Sequence, residues 1–186
     1  MTDAAKQLLE LLSERSFKRG QFTLASGATS NYYIDGRMSE VHSKGAFLIG
    51  QVLYEATKDL AFDAIGGMAV GAVPLTTAAV MQYHLNGRAV EGFWVRDKQK
   101  AHGTGKLVEG AVKAGDRVVV VDDVITSGGS SVKAIDAVKE MGCQVVQVLS
   151  LVDRLQGAAK LFRELGVPYR SVLTIRDFGI DVPDQG

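Results

Sequence analysis

Four consecutive valines, Val118-Val119-Val120-Val121, constrain this chain more than any other stretch. A run that is apolar on both alternating faces fits a strand buried on both sides, as in a parallel sheet covered by helices. Two carboxylates, Asp122 and Asp123, follow at once, at the strand end where open α/β sheets gather their ligands. Val124 and Ile125 then lead into Thr126-Ser127-Gly128-Gly129-Ser130-Ser131, a loop of small and hydroxyl-bearing residues. The next segment, Val132 to Glu140, is apolar at 132, 135 and 138 and predicts an amphipathic helix lying on the sheet.

Strand, acids, small loop and helix, in that order, suit a sugar phosphate. A helix N-terminus offers unpaired N–H groups and positive dipole charge to a phosphate dianion. Gly128 and Gly129 let the backbone approach that phosphate, and Thr126, Ser127 and Ser130 add hydroxyl donors. Asp122 and Asp123 would repel a phosphate in direct contact. They fit the two hydroxyls of a ribose, or water on a magnesium ion.

The flanking sequence alternates strands and helices, which predicts one doubly wound, mostly parallel α/β domain over residues 1–186. Leucines 8, 9, 11 and 12 predict a helix over 3–15, with Thr2 or Asp3 as its cap. Phe22-Thr23-Leu24 and Tyr32-Tyr33-Ile34 are strand-like around a turn cluster, and predict a hairpin. With the C-terminal tail, residues 1 to about 40 are expected to form a small hood over the ligand edge. Ser43 is expected to cap a helix over 44–60, and further strands are expected at 64–68, 89–95, 144–152 and 171–175, with a helix at 155–165. Between 96 and 106 the chain is charged, glycine-punctuated and without period, which predicts a mobile loop.

Composition excludes several classes. The formal net charge is zero, which argues against nucleic acid or an acidic membrane surface as partner. No run of about eighteen apolar residues predicts a membrane span. The lone Cys143 cannot form an internal disulfide and fits the reducing cytoplasm.

Val120-Val121-Asp122-Asp123-Val124-Ile125-Thr126-Ser127-Gly128 closely resembles the phosphoribosyl pyrophosphate (PRPP) motif of type I phosphoribosyltransferases. Phe93-x-Val95-Arg96-x-x-x-Lys100-x-His102-Gly103 is similar to the catalytic loop of the orotate phosphoribosyltransferases in particular. Phe22 to Gly27 with Tyr32 to Asp35, Gly66 to Pro74, and Leu151-Val152-Asp153-Arg154 agree with that family's hood, pyrophosphate loop and base-binding strand end. The resemblance covers roughly residues 17–154. It implies transfer of a phosphoribosyl group from PRPP to orotate, a step of pyrimidine nucleotide synthesis, with Mg2+ as the cofactor.

It also implies roles for particular residues. Lys100, His102 and Arg96 would be catalytic, stabilising charge on the leaving pyrophosphate. PRPP would be held by those three with Lys98, Asp122, Asp123, Val124, Ile125, Thr126, Ser127, Gly128, Gly129 and Ser130. Orotate would meet Thr126, Arg154, and backbone near Tyr33 and Ile34. Magnesium would come with PRPP, with only water-mediated contacts near Asp122 and Asp123. A homodimer is expected, with the 96–106 loop shared across the interface.

Departures are visible too. Ala25 and Gly71 stand where relatives carry lysine, and Asp97 replaces a lysine of the loop, with Lys98 beside it. Two alternatives stay open at this point. One is a phosphoribosyltransferase acting on a purine or another base. The other is a regulator that keeps the fold to sense PRPP.

Overall fold

The computed structural model of the chain describes residues 1–23, 29–98 and 106–183. Helix α1 (Asp3–Arg15) starts at Thr2, whose hydroxyl accepts the Ala5 N–H at 3.3 Å and so satisfies one free donor of the first turn. Strands β1 (Phe17–Thr23) and β2 (Thr29–Ile34) form an antiparallel ribbon separate from the main sheet. Its Phe17 ring packs 5.2 Å from Phe178, and Arg19 donates to the carbonyls of Phe178 and Gly179 at 3.1 and 3.0 Å.

A short helix α2 (Arg37–Glu40) precedes α3 (Ser43–Thr57). Ser43 is not the cap expected of it. It is the first helical residue, and His42 holds the extended cap position without a side-chain hydrogen bond. The chain continues through β3 (Ala64–Met68), α4 (Ala72–Leu85), β4 (Glu91–Val95) and β5 (Val108–Gly110). Pro74 falls in the first turn of α4, where its missing N–H has no helical partner to lose. Then come β6 (Arg117–Ile125), α5 (Gly129–Glu140), β7 (Gln144–Asp153), α6 (Ala158–Glu164), β8 (Tyr169–Thr174) and a 3-10 turn, Ile175–Phe178.

The main sheet runs β5-β4-β3-β6-β7-β8, parallel throughout except for the β4–β5 edge. The four valines lie in its middle strand, each no more than 1% exposed. Val119 and Val121 face one apolar layer with Leu8, Ile49, Leu75 and Tyr83, while Val118 and Val120 face the other with Phe93, Ile135 and Phe162. Strand alternation thus sends neighbouring valines to opposite helical layers, so both faces must be apolar.

Besides α2, which was not foreseen, and β8, which runs Tyr169–Thr174 where 171–175 was expected, two segments differ from the expectation. Strand β5 was not foreseen; it forms by pairing Val108 with Val95, antiparallel at the edge. Helix α6 begins at Ala158 and not at 155. Leu155 takes a positive φ of 56°, its N–H is held by Asp153 Oδ1 at 2.7 Å, and Gly157 at φ 98° starts the helix. No helix among the described residues is long and apolar enough to cross a membrane.

Candidate active site

The carboxyl ends of β6 and β7 build the site. Ile125 pairs with Asp153 across the two strands, and the Arg154 N–H donates to the Ile125 carbonyl at 3.0 Å. This sets the Thr126 loop beside Arg154 at one edge of the sheet. A cavity of about 420 Å³ opens there, lined by Asp122, Val124, Ile125, Thr126, Ser127, Gly128, Gly129, Ser130 and Lys133. Apart from Lys133, these are the residues singled out in the sequence. Lys133 lies in the first turns of α5, where its single charge gave no motif to notice.

Asp122 and Asp123 sit in the last turns of the strand's pleat, both partly buried. Asp122 accepts the Ser131 hydroxyl at 2.6 Å. Burial pushes its carboxyl above the usual range, the Ser131 hydroxyl pulls it back, and Asp123 beside it pushes it up again. Asp123 lies against the chain at Gly71: a Cβ there would stand 2.8 Å from its Oδ1. Under Asp123 lies Glu40, 1% exposed, which sequence reading missed altogether. Burial, and then the neighbouring Asp123, push Glu40 up to about 8.

Gly128 meets a real backbone demand. Its φ is 88°, and a Cβ would stand 3.0 Å from Cζ of Phe162 and 3.1 Å from Leu161. Gly129 has nothing within 4 Å of a Cβ position. Gly128→Ala should therefore cost about 1–3 kcal/mol of stability through left-handed strain and crowding. Gly129→Ala should leave the melting temperature unchanged and weaken phosphate binding by placing a methyl in the loop. Thermal melts of the two variants, with and without PRPP, check this; equal melts would refute it.

Arg154 is held from the ribbon. Its Nε donates to the Tyr32 hydroxyl at 2.9 Å, and its guanidinium carbon lies 4.8 Å from the centre of that ring. Tyr32 is 3% exposed, and Tyr33, near whose backbone orotate is expected, is 40% exposed with its ring 5.5 Å from Phe22. Ile34 is half-buried against the core. Strand alternation puts Tyr32 and Tyr33 on opposite faces of the ribbon, and short tyrosine pairs do not reveal which one turns inward.

At the other side, Arg96 pairs with Glu109 of β5 at 3.6 Å, and Asp97 pairs with Lys133 at 3.3 Å. Lys98 is exposed. Lys100 and His102 lie outside the described residues. Among the described residues no three acidic, histidine or cysteine side chains converge to hold a metal ion by themselves. A non-proline cis peptide joins Ala69 and Val70, just before α4.

The family model for the phosphoribosyl transferase domain matches residues 38–178, from α2 to the final 3-10 turn, and the chain belongs to this family. An orotate phosphoribosyltransferase of Rhodopirellula baltica is 43% identical over 180 residues, 94% of this chain and 93% of that one. One from Corynebacterium glutamicum is 41% identical over 179 residues, covering 96% of each. Crystalline orotate phosphoribosyltransferase of Mycobacterium tuberculosis H37Rv, in complex with Fe(III) dicitrate, matches with a TM-score of 0.85 at 40% identity, covering 95% of this chain and 99% of that one. Its complex with PRPP matches with a TM-score of 0.81 at 38% identity, covering 95% and 99%. Within the family, this chain falls among the orotate phosphoribosyltransferases.

Proposed function

We propose that this chain transfers the 5-phosphoribosyl group from PRPP to orotate, giving orotidine 5′-monophosphate and pyrophosphate in the cytoplasm. The observation that carries the reading is the tie of Arg154 through its N–H to Ile125, which lines the loop cavity, and through its side chain to Tyr32 of the ribbon. A guanidinium there can grip the carboxylate that distinguishes orotate from uncharged bases.

The division of labour follows from residue chemistry. N–H groups and hydroxyls over Thr126–Ser130 anchor the 5′-phosphate. Asp122 and Asp123 accept the ribose hydroxyls. As the bond from C1 to pyrophosphate breaks, the ribose becomes oxocarbenium-like and negative charge grows on the leaving group. Lys100, His102 and Arg96 stabilise that charge, with Lys98 adding to the field. Asp122 and Asp123 would hold, through water, the magnesium that PRPP would bring, and that ion would supply further charge neutralisation. The ribbon and the C-terminal tail serve as a hood over orotate, whose ring nitrogen attacks; no protein base is assigned.

A homodimer with the 96–106 loop acting in the partner's site completes the reading. Its support is an apolar face on α3 and α4. Val41, Phe47, Met81 and Leu85 are 76, 57, 62 and 71% exposed around one groove. Exposed apolar patches of this kind mark association surfaces. Mixing Lys100→Ala with Asp123→Asn subunits should then restore activity through hybrid dimers; verified exchange without recovery would refute action in trans.

The reaction is tested by following orotate spectrophotometrically with PRPP and magnesium, with uracil, adenine and hypoxanthine in parallel. Consumption of orotate alone is expected. Turnover of another base would reject the substrate, and PRPP binding without turnover would reject the enzyme.

A further inference from the structure

Glu40 ends α2, at the base of the acid pair, and no role described so far uses it. Both of its carboxyl oxygens are buried, and neither finds a donor among the conventional N–H and O–H groups of the described residues. The group it meets is the carboxyl of Asp123: Glu40 Oε1 and Asp123 Oδ2 both flank the Cβ position of Gly36, the latter at 3.4 Å. Two carboxylates offer only acceptors, so a bond between them needs one proton. Burial assigns that proton to Glu40, since Asp123 is the more exposed of the two.

Among the described residues, its surroundings offer no competing partner. Asp35 and Arg37 are the other charged groups that face it, and the Arg37 guanidinium is turned away onto Asp35, donating at 2.7 and 2.9 Å. Gly36 leaves the space the carboxyl occupies, because a Cβ there would collide with Glu40 Oε1. Asp123 is therefore held between the backbone at Gly71 on one side and Glu40 on the other.

We propose that Glu40 is a positioning residue: as a neutral donor sealed beneath Asp123, it fixes that carboxylate in the orientation that accepts the ribose hydroxyls of PRPP. The proposal rests on the reading of Asp123 as a ribose-holding acid. Donation by Glu40 leaves Asp123 with lone pairs free for the sugar. Without it, the repulsion of adjacent Asp122 would turn Asp123 aside.

The test measures PRPP binding by calorimetry with magnesium, and the KM of both substrates, in Glu40→Gln, Glu40→Leu and Gly36→Ala. Glutamine presents an amide N–H where the carboxyl O–H stood, so its affinity for PRPP should stay within about threefold of the parent. Leucine fills similar volume without a donor and should weaken PRPP about tenfold, the loss of one hydrogen bond to a charged group. Its KM for orotate should stay within about twofold on the same ground. Gly36→Ala, which displaces the carboxyl without altering it, should behave like leucine, and decides the matter if the leucine variant fails to fold.

In an Asp123→Asn background the leucine substitution should add little, since its partner is already gone. Unchanged PRPP affinity in both the leucine and Gly36→Ala proteins overturns the proposal. So does a glutamine variant as weak as leucine, or a fall in melting temperature with no selective loss of PRPP. PRPP binding is read without any base. Failure of the parent protein to consume orotate would reject the activity and leave this test standing.

Discussion

Replacing Lys100 or His102 with alanine should lower kcat by about 10²–10³-fold, the usual cost of removing one preorganised donor aimed at developing charge. PRPP binding should change far less. In the ground state the pyrophosphate would already be satisfied by backbone donors and by any metal it brings, and the extra charge on the bridging oxygen exists only as the bond to C1 breaks. Interactions made only in the transition state lower kcat and kcat/KM together and leave binding of PRPP untouched. Steady-state kinetics beside calorimetric PRPP affinities separate the two. Equal losses in turnover and in binding would mean that these cations hold the substrate without helping its departure.

The second large effect falls on the base. Arg154→Ala should reduce kcat/KM for orotate by about 10²–10³-fold, since truncating one partner of a desolvated charge pair costs roughly 2–5 kcal/mol. Affinity for PRPP should hold, because the loop from Thr126 to Ser130 is supported by α5 and by Phe162 behind Gly128. Arg154→Lys should recover only part of the loss: an ammonium restores charge without the planar fork that meets a carboxylate. Tyr32→Phe should show a smaller deficit of the same kind, because it removes the hydroxyl that accepts from Arg154 Nε. Competition between orotate and uracil in each variant checks the assignment; discrimination that survives Arg154→Ala would move the carboxylate site elsewhere.

The parts of the fold that depend on local pattern were legible in the chain. The valine run is one case, because burial on both faces leaves an uninterrupted apolar signal. The Thr2 cap and the proline in the first turn of α4 are others, each a matter of one residue and the turn that follows it. What escaped depends on distant partners. Strand β5 is three residues long and has no pattern of its own; it exists because Val95 offers it a ladder. Glu40 belongs to no motif in the sequence. Its burial is decided by Asp123, remote in sequence and adjacent in space. Which of Tyr32 and Tyr33 turns its ring inward is set by the parity of a ribbon whose register no two-residue motif reveals, and the expected backbone contact near Tyr33 and Ile34 does not depend on it. At the site, the cavity-lining loop could be read because backbone, glycine and hydroxyl chemistry are contiguous there; the Lys133–Asp97 and Arg154–Tyr32 pairings join separate elements.

The edge of the sheet carries one more consequence. Arg96 N–H donates to the Leu107 carbonyl at 2.9 Å, directly beyond the Val95–Val108 rung, so the segment between them leaves and returns at a single point. It is a tether with both ends on one post. Lys100 is four residues along it, so its backbone can travel no further than about 14 Å from that post, whatever path the chain takes. Any leaving group it serves, in its own subunit or in a second one, must come within that radius plus the length of a lysine side chain. The shape of the assembly is thereby limited by chain arithmetic: two copies can share the segment only if each brings the open rim of its loop cavity within reach of the other's sheet edge.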